Sequence, residues 1–321
     1  MGRATAVQEA VGDVARHEVD RRYLDRALED IAGRAFSRWH SLRYDSLSLA
    51  KIRAMQDELL DHVAARTAQG GTLDTSARSV LQTAAECALG ALSVGCFPDG
   101  DQEIPFPVIG EVLSSESVSF GDHVVEQAPT ARTWVDTFAM CVVSGAVWEW
   151  QRVIGLLLRG DYASEIRDGV PYSKLESVSR PADLAEMDAL CGYLAESRGH
   201  LPSGWPKAPL CKPDAGQRAA AAGALDAAGP LTPDQRLLRV LLDDDRQAFE
   251  EALVARLVAH RESAGADAAP RSLLPVGPLA LAALAVQVHG WELGVRSGYL
   301  PPDLLGTPDA LERTAGGGRA S

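Results

Sequence analysis

Carboxylate and imidazole pairs are the first places to look for chemistry in this sequence. Glu58 and His62 lie four residues apart, and His289 precedes Glu292 by three, so each pair can share one face of a helix. In helical bundles such pairs build di-iron sites, which draw a Glu-x-x-His motif from each of two helices. The chain contains no Glu-x-x-His, so the two pairs leave a metal site short of ligands. The competing reading is a solvated helix face for Glu58 and His62 and a helix terminus for His289. His260 fits a helix end, where a cation is favoured, better than a catalytic base. The five cysteines (Cys87, Cys96, Cys141, Cys191, Cys211) include no two at the spacing of a zinc knuckle or redox pair. They read as reduced, small hydrophobes. Phosphate-binding G-x-x-x-x-G-K-[ST] and nucleophile-elbow G-x-S-x-G patterns are both missing. No catalytic residue, metal or cofactor is therefore nominated.

A second acidic run is Asp243-Asp244-Asp245-Arg246 with Glu250-Glu251. Similar aspartate runs hold magnesium in helical terpene cyclases, which also need an Asn/Ser/Glu motif and an aromatic-lined pocket. Aromatics make up only 6% of this chain and the second motif is missing. The plainer reading is a helix N-terminus, where acids complement the dipole. Charge distribution says more. Between Arg78 and Arg132 there is no Lys or Arg, while eight acids occur there: Glu86, Asp99, Asp101, Glu103, Glu111, Glu116, Asp122 and Glu126. That window holds −8 of a net −13. Seven of the eight follow Pro98, in a loop-rich stretch. A negative field on protruding loops would steer a basic partner; the alternative is an ordinary solubilising surface.

The elements that must carry these residues read as helices. Leu24, Leu28 and Ile31, then Ile52, Met55, Leu59 and Val63, recur at three- and four-residue steps among charged positions. Thr75-Ser76 can cap a third helix running toward Gly95. Pro98, Pro105 and Pro107 bar a long helix, and Val118/Phe120 with Val124/Val125 suggest short extended pieces, leaving room for a small β-hairpin. Helix resumes at Thr130 and breaks near Gly145. Trp148 and Trp150, two apart, point to different sides, one to the core and one to a rim. Further helices fit 182–197, an alanine-rich 219–228, a Thr232-capped segment with Pro233 at its first position, and a stretch carrying Phe249, Leu253 and Leu257. The expected organisation is an N-terminal helical region (1–97), an acidic loop-rich insert (98–129), a C-terminal helical region (130–305) and a flexible tail (306–321). The fold class is all-α: a multi-helix bundle or irregular stack of helix hairpins with that insert.

Length 321, 46% hydrophobic residues and the odd cysteine count exclude a disordered tail or a disulfide scaffold. Acidity argues against nucleic acid or an anionic membrane as partner. Residues Met1 to Glu9 lack the apolar segment of a secretory signal, and with reduced cysteines this points to the cytoplasm. Only four of the 31 basic residues are lysine, a bias of high-GC bacterial genomes.

The segment Leu273-Leu-Pro-Val-Gly-Pro-Leu-Ala-Leu-Ala-Ala-Leu-Ala-Val286, followed by His289-Gly-Trp291 and Ser297-Gly-Tyr299-Leu-Pro301, resembles the close of the immunity protein 49 family. Asp244–Arg261 resembles it too, and Trp134 to Leu158 more loosely. The likeness is best over the C-terminal third. It implies an all-α cytoplasmic inhibitor from actinobacterial polymorphic-toxin systems that binds a protein toxin. The expected contact residues are Asp99, Asp101, Glu103, Glu111, Glu116, Asp122 and Glu126, with Asp243, Asp244 and Asp245 as a second cluster. They would occlude the active site of a basic, nuclease-like toxin. The alternatives are a helical-bundle enzyme of secondary metabolism and a helical scaffold or regulatory binding protein.

Overall fold

The computed structural model describes residues 12–45, 48–70, 72–115, 128–149, 152–173, 175–199 and 202–316. A short strand β1 (Gly12–Val14) leads into α1 (Arg21–Leu28), α2 (Ile31–Tyr44), α3 (Leu49–Ala68) and α4 (Thr75–Cys96). A hairpin of β2 (Glu103–Phe106) and β3 (Glu111–Ser114) follows, and then α5 (Ala131–Ser144). Next come α6 (Ile154–Leu156), a π-helical turn (Leu157–Tyr162), α7 (Ala163–Arg167), α8 (Pro181–Cys191), α9 (Ala215–Ala227) and α10 (Pro233–Leu242). The chain closes with α11 (Arg246–Ser263), α12 (Val276–Gln287), β4 (Val295–Ser297), α13 (Pro302–Leu305) and α14 (Ala310–Gly316). The fold is all-α, with two small two-stranded sheets among the described residues.

The core is built around α4, α5 and α12. From Pro278 to Gln287 every residue of α12 is buried, so the Ala/Leu run is a helix covered on all sides. It packs on α5, which packs in turn on α4 and α8, while α3 lies along α4. α4 has the length and hydropathy of a membrane span, yet it is buried here as a core helix. Ile52, Met55, Leu59 and Val63 of α3 are all fully buried, as their spacing predicts.

Local signals set most of the helix ends. Thr130 and Thr232 cap α5 and α10, each in a reciprocal capping box, with Pro233 at the first position of α10. Gly145 adopts φ +81 and stops α5, because only glycine enters that region without a Cβ clash. α4 corrects the expected cap by one residue. Asp74 rather than Thr75 or Ser76 is its N-cap: its backbone is still extended and its carboxylate accepts from the Ala77 N–H at 2.8 Å and from Arg66 at 2.7 Å.

The insert does contain a hairpin, but 103–114 forms it. The expected pieces at Val118/Phe120 and Val124/Val125 lie outside the described residues. Pro105 breaks helices, yet it fits here opposite Val112 because both strands of a two-stranded ribbon are edges. β1 pairs in parallel with β4, closing the N-terminal segment onto the C-terminal one, a three-residue contact that no local pattern announces.

Candidate partner-docking surface

The acidic hairpin is held rigidly on α4. Ile104, Phe106 and Leu113 turn inward and are buried, and Ile104 lies so close to Gly90 that any Cβ there would collide with it. The Val108 N–H donates to Thr83 Oγ1 at 3.0 Å. At the base, Ser115 Oγ accepts from the Gln102 N–H at 2.7 Å and donates to the Gly100 carbonyl at 2.8 Å. On this anchored ribbon and the loop before it, Asp99, Asp101 and Glu103 are exposed and Glu111 is half-buried. None of the four has an ion pair or side-chain hydrogen bond among the described residues. Glu116, Asp122 and Glu126 lie outside the described residues.

Glu86 belongs to the same charge window but not to this surface. It is buried on α4 and paired with Arg152. Burial pushes its carboxyl up, against the pull of the guanidinium.

The Asp243–Asp245 run serves the junction between α10 and α11. Asp243 pairs with Arg239 at 2.5 Å, and Arg239 also holds Asp226 at 3.0 Å. Asp245 caps α11, accepting from the Ala248 N–H at 3.1 Å. Asp244 adopts φ +60, which Asp tolerates better than most residues, and turns inward to Lys212 (2.7 Å), Arg218 (3.1 Å) and His289 Nδ1 (2.6 Å). Although burial opposes its ionisation, Lys212 and His289 hold Asp244 below the usual carboxylate range. Burial pushes His289 down to about 4, so the neutral ring donates from Nδ1 to Asp244 and accepts at Nε2 from the Tyr193 hydroxyl, 2.9 Å away. An Asp–His–Tyr chain has the outline of a proton relay, but its Tyr193 end is fully buried. The three acids of the run differ from the hairpin acids in having intramolecular partners, although Asp243 and Asp245 remain exposed.

Glu58 and His62 are parted by intramolecular bonds, and His260 is likewise engaged. Glu58 binds Arg38 at 2.5 Å, while the His62 Nδ1–H donates to the Ala27 carbonyl at 3.0 Å. His260 Nε2–H donates to the Ser272 carbonyl at 2.7 Å. Among the described residues no three His, Cys, Asp or Glu side chains are grouped to hold a metal ion. The Trp148 indole donates to Gln287 Oε1 at 2.7 Å at the edge of a cleft of about 480 Å³, whereas Trp150 lies outside the described residues. A second cleft of about 520 Å³ between α3 and α5 is lined by Arg53, Asp57, Arg132 and Asp136, with Arg132 and Asp136 paired at 2.8 Å.

The model of a family described as immunity protein 49 matches residues 67–304. The chain belongs to the immunity protein 49 family. The match extends well beyond the C-terminal third and includes the hairpin, so the family pattern begins before Thr130. No curated protein and no solved structure matches the chain. Membership in an immunity protein family implies a toxin as binding partner, and the surface chemistry above bears on how it is bound.

One surface feature escaped the sequence reading. Phe36, His40 and Tyr44 follow one another at four-residue steps on α2, and all three are exposed. The spacing itself was the available signal, but stripes of aromatic residues at helical spacing usually belong to the core.

Proposed function

We propose that this immunity protein acts in the cytoplasm by seating its acidic hairpin lobe on a basic, nuclease-like toxin and occluding the toxin's active site. The observation that carries this reading is the contrast between acids. Asp99, Asp101, Glu103 and Glu111 stand on an anchored lobe without partners among the described residues, while Asp243, Asp244 and Asp245 each have intramolecular partners. A concentrated negative field accelerates encounter with a positive surface, and a rigid ribbon loses little conformational freedom on docking.

The test is co-expression with the protein encoded beside this chain's gene, followed by co-purification and binding kinetics. Neutralising the four hairpin acids together (D99N, D101N, E103Q, E111Q) should slow association about tenfold at low ionic strength and flatten its salt dependence. Association unchanged in that variant would remove the hairpin field from the mechanism.

A further inference from the structure

The aromatic stripe on α2 is joined to the acidic hairpin. Phe36 is 47% exposed and Tyr44 62% exposed, although both are large apolar rings on a well-formed helix. His40 bridges them, with ring centroids 6.5 Å from Phe36 and 4.6 Å from Tyr44. Beneath the stripe Trp39 is buried, its ring 5.4 Å from Phe36 and 6.4 Å from Tyr44. The Arg43 guanidinium sits 5.3 Å from the Trp39 ring centroid and 5.5 Å from that of Tyr44. The Trp39 indole N–H reaches the Val112 carbonyl on β3 at 3.4 Å, which brings the helix against the ribbon. Val112, opposite Pro105, is itself 44% exposed, and exposed Glu103 is on the same outward face of the hairpin.

The patch has the composition of an interface centre: aromatic rings, an arginine stacked on them, and the exposed acid Glu103 at the margin. Mutual packing holds Phe36, Tyr44 and Arg43 in place, so docking would cost them little rotamer freedom. The hairpin acids define the partner. A protein face complementary to this one has an apolar recess rimmed by Lys and Arg, which is the basic toxin face of the proposed function.

We infer that Phe36, Tyr44 and Val112 form the anchoring centre of the toxin-docking surface, with Glu103 at its margin and the hairpin acids together supplying the steering field. This rests on the proposed function and divides the labour within it: the stripe sets how long the complex lasts and the acids set how fast it forms.

The protein encoded beside this chain's gene is the probe, titrated against the full-length chain. Phe36→Ser and Tyr44→Ser should each raise the dissociation rate about 30-fold or more, with association rates within about threefold of the parent. The acid-neutralised variant should show the opposite split. Hydrogen exchange on the unmutated complex supplies a readout that needs no variant, with protection expected at residues 36–44 and 103–114. Parent-like dissociation in both Ser variants, or no protection at 36–44 in a complex that forms, would overturn the inference while leaving the proposed function standing. A probe that fails to bind even the unmutated chain would overturn the proposed function, and this inference with it. Sedimentation should show a monomer. A dimer that Tyr44→Ser splits would assign the stripe to a second copy and so overturn the inference.

Discussion

Glu186 and His289 are both sealed from water, and burial acts on them with opposite sign. Glu186 accepts from Arg132 at 2.9 Å and from the Gln235 amide at 3.0 Å, yet burial pushes it up to about 7. His289 is pushed down to about 4. Between pH 4.5 and 7 the unfolded chain releases the Glu186 proton while the folded chain keeps it, so this group lowers stability as pH rises. Between pH 6.5 and 4 the unfolded chain protonates His289 while the folded chain does not, so that group lowers stability as pH falls. Each shift is worth ~3 kcal/mol across its window, and the two nearly cancel between pH 4.5 and 6.5. Chemical denaturation across that range should therefore distinguish each variant from the parent by the slope that the removed group contributed. Relative to the parent, Glu186→Gln should tilt the slope toward stability that rises with pH, and His289→Asn toward stability that falls. Parallel slopes in the two variants would contradict both assignments. Neither group could be picked from the sequence, because its titration depends on which distant residues enclose it. Asp244 shows the same limit, since the run of three aspartates says nothing of Lys212, Arg218 and His289 converging on the middle one.

At the scale of elements, legibility followed the reach of the signal. Thr130 and Thr232 cap their helices, Gly145 stops α5, and the α12 run is buried, because each signal acts within a turn or two of itself. The hairpin at 103–114 carries Pro105 inside a strand, where the local signal of that proline is only that it bars a helix; the extended pieces expected at Val118/Phe120 and Val124/Val125 lie outside the described residues. The π-helical turn had no signal at all. There the Trp134 indole donates to the Leu158 carbonyl at 2.8 Å, a tertiary bond to a backbone group that a regular helix would keep for itself. The seat of the hairpin makes the element-scale prediction. Gly90→Val would drive two methyl groups into Ile104 and cost about 1–3 kcal/mol by overpacking. Thermal unfolding should register that loss, and amide exchange should accelerate at 103–114 more than in the middle of α5. Unchanged hairpin exchange would mean that the ribbon does not depend on this contact.

For the whole molecule, the span shared with the family and the span that folds need not coincide. The match begins at residue 67, after nearly all of α3, but the core does not. Ile52, Met55, Leu59 and Val63 are fully buried in the same continuous cluster as Val80, Leu92 and Leu279. Burying four such side chains contributes on the order of 10 kcal/mol, comparable to the roughly 5–15 kcal/mol net stability of a typical domain. The N-terminal segment adds a second tie. The Tyr299 hydroxyl accepts from the His17 backbone N–H at 2.8 Å and lies 2.6 Å from His17 Nδ1, while His17 Nε2–H donates to Ser272 Oγ at 2.8 Å. A chain cut to residues 67–304 should therefore lose cooperative thermal unfolding and near-ultraviolet circular dichroism, both retained by the full chain. It should also lose toxin binding, since α2 goes with the removed part. A 67–304 chain that melts cooperatively would place the folding unit inside the matched span. If it also bound the toxin at full strength, the α2 stripe would have no part in the complex.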